Sequence, residues 1–188
     1  MTAMNRRSFL GAAATAGTGI RLGALPASGA AAENVNRGVP RPYTLPAGAT
    51  AADSFPCGTG YGNGVYDLTV TGPNRFLCRF RGDAAEPGRY LAVSTSYAVE
   101  SHTGKLALWF TLTNSGSSAV QVTITSHAYR SDGPWNYTVP AGGSTRDYFN
   151  AVAYTDGWYD FTVTTSADAT WSQRFTGHLE TGAPSVTG

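Results

Sequence analysis

Few residues in this chain could carry out acid–base, nucleophilic or metal chemistry. Its only histidines are His102, His127 and His178. None stands in a His-x-x-x-His or paired-acid arrangement of the kind that closes around a metal, so no metal site and no cofactor is expected. Asn114-Ser115-Gly116-Ser117 lacks the Gly-x-Ser-x-Gly elbow of a serine nucleophile and reads as a turn. Asp67 and Asp160 occupy matching places beside Tyr66 and Tyr159. Two carboxylates roughly 5–10 Å apart can hydrolyse a glycoside, but internal repetition accounts for this pair without chemistry, and each Asp is expected to hydrogen-bond a turn. His127 falls at the end of an alternating run, where a satisfied structural histidine is expected. The sequence therefore offers no catalytic residue.

Aromatic residues are the better candidates for function. Trp135, Tyr137, Trp158 and Tyr159 fall at strand ends and near turns, and Trp109 lies within an alternating run. Rings with a polar edge suit a membrane interface, a sugar face or a choline-like cation. The alternative use is as core rings of a sandwich. Trp109, on the polar phase of its run, is the one expected outside. Cys57 and Cys78 are the only cysteines. Outside the reducing cytoplasm they could form a disulfide, or they could serve as small buried hydrophobes.

The elements that must position these residues are β-strands. Leu106, Leu108, Phe110 and Leu112 alternate with Ala107, Trp109 and Thr111, and Val120, Val122 and Ile124 alternate with Gln121, Thr123 and Thr125. This period of two marks strands with one buried face. With 90–96, 135–139, 145–149, 158–164 and 171–175, the count reaches seven short strands broken by turn residues and without helical periodicity. That pattern predicts an all-β, immunoglobulin- or fibronectin-like antiparallel sandwich.

The chain also repeats itself. Tyr43-Thr44-Leu45-Pro46-Ala47-Gly48 matches Tyr137-Thr138-Val139-Pro140-Ala141-Gly142, Tyr66-Asp67-Leu68-Thr69-Val70 matches Tyr159-Asp160-Phe161-Thr162-Val163, and Arg79-Phe80-Arg81-Gly82 matches Arg174-Phe175-Thr176-Gly177. The stretch from Arg41 to Gly82 thus corresponds to the last four strands of the complete unit. The expected division is a partial unit over 33–83, a complete unit over 84–182 and a tail over 183–188. Four strands alone leave an apolar face uncovered. The Gly58–Gly64 segment reads as a flexible turn, since a phosphate-cradling loop needs a following helix and usually a Lys.

Residues 1–32 read as an export signal. Asn5-Arg6-Arg7-Ser8-Phe9-Leu10 is a twin-arginine pattern, followed by a weakly apolar run and by small residues suited to a signal peptidase at Ser28-Gly29-Ala30 or Ala30-Ala31-Ala32. No apolar run reaches the roughly 18 residues of a membrane span, so a secreted, periplasmic or cell-surface protein is expected. Taking Arg6, Arg7 and Arg21 from the 13 basic residues leaves 10 against 12 acidic ones. Such a balance argues against a nucleic-acid binder, which needs a clustered positive field.

The segments Ala128-Tyr129-Arg130-Ser131-Asp132-Gly133-Pro134-Trp135, Gly157-Trp158-Tyr159-Asp160 and Arg174-Phe175-Thr176-Gly177-His178-Leu179-Glu180 carry a resemblance. With the Tyr-Thr-Val-Pro-Ala-Gly at 137–142, they resemble the C-terminal domain of bacterial phosphocholine-preferring phospholipases C. The run from Gly72 to Asp83 resembles the end of that family's first tandem module, and the likeness covers about residues 41–182. The resemblance implies a twin-arginine signal and a tandem module. It also implies a phosphoesterase domain with an Asn-x-Ser-Phe-Asp-His type motif, which this sequence lacks, so no catalytic residue carries over. What it implies for this chain is a non-catalytic accessory module that contacts phospholipid, a choline headgroup or a phospholipase catalytic domain. The alternatives are a truncated phospholipase C and a carbohydrate-binding module.

Overall fold

The computed structural model describes residues 10–15, 19–22, 30–34, 40–46, 52–59 and 62–184. Arg6 and Arg7 lie outside the described residues. The second unit has the seven expected strands: β8 (Leu91–Val99), β9 (Leu106–Asn114), β10 (Val120–Ala128), β11 (Trp135–Val139), β12 (Ser144–Phe149), β13 (Trp158–Thr165) and β14 (Asp168–His178). A single helical turn, α1 (Ala151–Tyr154), which the strand periodicity did not indicate, joins β12 to β13.

The first unit also shows seven strands among the described residues, where four were expected. They are β1 (Leu10–Thr15), β2 (Gly19–Leu22), β3 (Ala30–Asn34), β4 (Arg41–Tyr43), β5 (Asp53–Pro56), β6 (Val65–Thr71) and β7 (Leu77–Asp83). Three of them fall in or across the end of the stretch read as an export signal. The physical reason is coverage. Tyr66, Leu68, Val70 and Phe80 on the inner face of β6 and β7 are buried, and such a face needs an opposing sheet, which β1 and β2 join with β5.

One sheet runs β12-β9-β8-β1-β2-β5 and the other β11-β10-β13-β14-β7-β6-β3-β4. Each order lists second-unit strands and then their first-unit equivalents in reverse, so a pseudo-twofold axis relates the units. Both seams are antiparallel pairings: β1 against β8, and β7 against β14. Arg79 and Arg174, equivalent in the repeat, pair directly with each other across the second seam. The axis therefore passes between them. Closing two modules into two continuous sheets removes four strand edges, one each on β1, β8, β7 and β14, that would otherwise invite association.

Alternation places one apolar face of β5 to β14 inward. The core is continuous across the seam: Phe80 meets Phe175 edge-on at 6.2 Å between ring centroids. Phe110 sits at its centre, edge-on to Phe149, Phe161 and Phe175 at 5.6, 5.8 and 5.5 Å. Cys57 and Cys78 are buried free thiols, the second of the two uses open to them, and complete burial pushes the Cys78 thiol well above its ordinary range.

Phe110 is fully buried, so Phe110→Ala removes a ring shared by three neighbours. A loss of about 3–5 kcal/mol is expected. Urea unfolding followed by tryptophan fluorescence should place the midpoint well below that of the parent; an unchanged midpoint would show that the core is not centred there.

Candidate functional site

The structure separates the five aromatic candidates. Tyr159 is buried, donating or accepting a 2.7 Å hydrogen bond with the Tyr97 hydroxyl beneath the sheet. Trp135 and Tyr137 pack against the core from one edge: Trp135 contacts Phe149 at 4.7 Å, and the Tyr137 hydroxyl donates to Asp147 at 2.7 Å. Trp109 lies on the outer face as expected, although only partly exposed. It rests on Tyr148 at 4.6 Å, Arg146 covers its ring at 4.1 Å, and its indole N–H donates to the Ala98 carbonyl. Of the five, Trp158 and Tyr159 line an open groove, and of these two only Trp158 is partly exposed.

That groove holds about 450 Å³ on the outer face of the larger sheet, at the seam between the units. Its wall is the stacked pair Tyr129 and Trp158, with centroids 6.0 Å apart. Trp158 opens β13 directly after Gly157, whose φ of +91° and whose missing Cβ, otherwise 2.7 Å from His178 Nε2, let the chain turn tightly there. The His178 ring lies 4.6 Å from Trp158 and is held by the Asp156 carbonyl and the Glu180 carboxylate. Tyr129 follows β10 at φ +70°, a left-handed backbone that an aromatic residue adopts only when its surroundings hold it there.

The opposite wall comes from the other unit. Residues 72–76 turn β6 into β7 and reach across the seam, with Asn74 and Arg75 both at φ +56°. Asn74 Nδ2 donates to Glu180 Oε1 at 2.7 Å, and Thr176 Oγ1 donates to the Arg75 carbonyl at 2.6 Å. These ties aim the Arg75 guanidinium over the Trp158 ring at 5.7 Å, while Nη1 donates to the Tyr129 hydroxyl at 3.2 Å. The floor is Asp160 with Arg174, a two-pronged pair at 2.9 and 2.6 Å.

Asp67 and Asp160 thus do not bond turns. Each lies on an outer strand face and pairs with the arginine diagonally across, Asp67 with Arg79 and Asp160 with Arg174. Asp67 also meets Arg81 at 3.1 Å. Both carboxylates are thus committed to structural ion pairs. His127 is exposed and satisfied through Thr162 Oγ1 at 2.8 Å. Among the described residues no group of three or more His, Cys, Asp or Glu could hold a metal ion. The groove therefore presents the Arg75 guanidinium and two aromatic rings above the Asp160–Arg174 pair, a binding arrangement.

Sequence reasoning missed Tyr129 and Arg75. Tyr129 stood in a quoted motif but in no pattern of its own. Arg75 belongs to the wrong unit, and only the seam brings it to Trp158. The signal that could have raised it is the uneven repeat: residues 72–76 form an open turn where the second unit makes a tight one, and Val65 stands where the second unit has Trp158.

A tandem β-sandwich with an aromatic and cationic groove at its seam is the class of protein that this geometry defines. The sequence profile described as bacterial phospholipase C, C-terminal domain, matches residues 15–83 and 91–178, and the chain belongs to that family. It is 36% identical over 148 residues to a non-hemolytic phospholipase C of Burkholderia pseudomallei, covering 78% of this chain and 20% of that protein. It is 34% identical to the non-hemolytic and hemolytic phospholipases C of Pseudomonas aeruginosa, over 76% and 65% of this chain and 20% and 17% of theirs. The chain spans about a fifth of the length of the curated relatives it matches. No helix among the described residues is long and apolar enough to cross a membrane.

Both units carry one further polar tie, Tyr43 to Asp53 and Tyr137 to Asp147. Burial opposes ionisation of Asp53, but hydrogen bonds from Tyr43, Arg41 and the Ser54 N–H outweigh it and hold the carboxyl below its ordinary range. A depressed folded-state pKa stabilises above the unfolded value near 3.9 and is lost as pH falls through the folded one. Melting temperatures should therefore drop below about pH 4, and Asp53→Asn should flatten that limb while lowering stability at neutral pH. Equal acid slopes for the two proteins would remove Asp53 from this role.

Proposed function

We propose that this chain is an exported, non-catalytic accessory module of the phospholipase C type that docks on phosphocholine headgroups through the seam groove. The observation that supports this reading is the pairing of Arg75 with the stacked Tyr129 and Trp158. A guanidinium suits a phosphodiester, and the aromatic faces suit the trimethylammonium group that the same headgroup carries. The relatives are phospholipases C, which is consistent with phospholipid as the surface approached. The Arg6-Arg7 pattern supports export by the twin-arginine route. Contact with a phospholipase catalytic domain is a second use for the same exposed face, and the chain has no hydrolytic activity of its own.

Phosphatidylcholine vesicles should shift the tryptophan emission of the full chain to the blue, and free phosphocholine should compete. Trp158→Ala and Arg75→Ala should each weaken vesicle binding by about tenfold, the order expected for losing a cation–π or charge-assisted contact. An unchanged spectrum with vesicles would sink the proposal. Retention on a polysaccharide with release by free sugar would redirect it to carbohydrate. Hydrolysis of a phosphocholine ester that is lost on substituting a groove residue would overturn the non-catalytic assignment.

A further inference from the structure

The residues that read as a removable leader are the same residues that complete the first module. Leu10, Gly11 and Ala12 of β1 pair with Thr95, Ser94 and Val93 of β8, which makes the seam of the smaller sheet. The next strand, β2, pairs with β1 on one side and, from Gly19 to Leu22, with Pro56 to Asp53 of β5 on the other. In the larger sheet β3 is flanked on both sides: Ala30, Ala31 and Ala32 face Tyr43, Pro42 and Arg41 of β4, and Ala31 to Asn34 face Thr71 to Leu68 of β6. The small residues suited to a signal peptidase are therefore the backbone of an interior strand.

We infer that residues 10–34 are a retained structural segment, and that folding shelters the bonds around Ala30–Ala32 from the peptidase that would otherwise remove it. A peptidase needs its substrate extended and unpaired, and a strand hydrogen-bonded to two neighbours is extended but not unpaired. The family match gives independent support, since it begins at residue 15, ahead of both candidate cleavage points. Cutting there would leave only Glu33 and Asn34, or those two plus Ala31 and Ala32, of β3. Either cut would leave β5 without its partner β2 and open the nine-residue β8 to solvent, and the cut after Ala32 would also strip β4 of the residues that pair with it. Unpaired backbone at such edges is costly when buried and association-prone when exposed. A twin-arginine route, which carries folded proteins, is compatible with this shelter. The inference does not depend on what the seam groove binds.

Hydrogen exchange on the full chain, on residues 33–188, and on residues 33–188 refolded with a synthetic peptide of residues 1–34 tests it. The full chain should protect β8 and β6 amides at least about tenfold better than the truncated one, and the peptide should restore that protection in a concentration-dependent way. If residues 33–188 aggregate alone, the refolding arm still decides, because rescue by the peptide requires that it supply the missing strands. The inference is overturned if the full chain exchanges as fast at β8 and β6 as the truncated one, or if the peptide has no effect. It is also overturned if the exported product begins at residue 31 or 33 and melts at the same temperature as the full chain.

Discussion

The structure depends on the antiparallel pairing of β7 with β14, where two copies of one module meet. At that seam Arg79 stands directly opposite its own equivalent, Arg174. Like charges opposed across a strand pair are unfavourable, whereas diagonal opposite charges are favourable and within reach of long side chains. Both units solve the conflict alike, drawing each arginine sideways onto its own aspartate, at 2.5 Å in one and 2.6 Å in the other. These half-exposed pairs are worth little as stability. Their effect is on alignment within each unit, since each pair joins the two strands of one hairpin, β6 to β7 and β13 to β14. Beneath them Phe80 and Phe175 close the core.

From this seam follows the placement of the groove. A second-unit aromatic wall and a first-unit turn become neighbours only when β7 and β14 are paired. The backbone shows what it takes to aim these groups: Asn74, Arg75 and Tyr129 all sit at positive φ without being glycine, a conformation that costs energy unless surroundings fix it. Thr176, Glu180 and the Trp158 ring supply that fixation. The pseudo-symmetry is broken here, because Val65 replaces Trp158 in the first unit.

Much of the remaining polar chemistry is structural and repeated. The Tyr–Asp ties at 43/53 and 137/147 link β4 to the start of β5 and β11 to β12, the crossings from one sheet to the other. Glu100, buried, caps its own turn by accepting the His102 and Thr103 N–H groups. A carboxylate given two backbone donors is spent on holding a loop. The buried thiols at Cys57 and Cys78 add volume to the core, and the second unit folds without counterparts to them.

The sequence by itself determined the strands of the second unit, the sandwich class and the repeat, because a period of two and turn residues are local properties that survive without a partner. It also put Trp109 on the outer face of its strand. Tertiary structure alone decided what the N-terminal residues are for. Their small, weakly apolar composition fits a leader and a strand equally, and only the uncovered faces of β6 and β8 distinguish the two. It alone decided the partners of Asp67 and Asp160 as well, since a carboxylate next to a tyrosine looks the same beside a turn or a guanidinium. The groove was the least legible part. Its two walls lie more than fifty residues apart in different units, and their meeting is set by which strand edges pair, a long-range choice that no local pattern records.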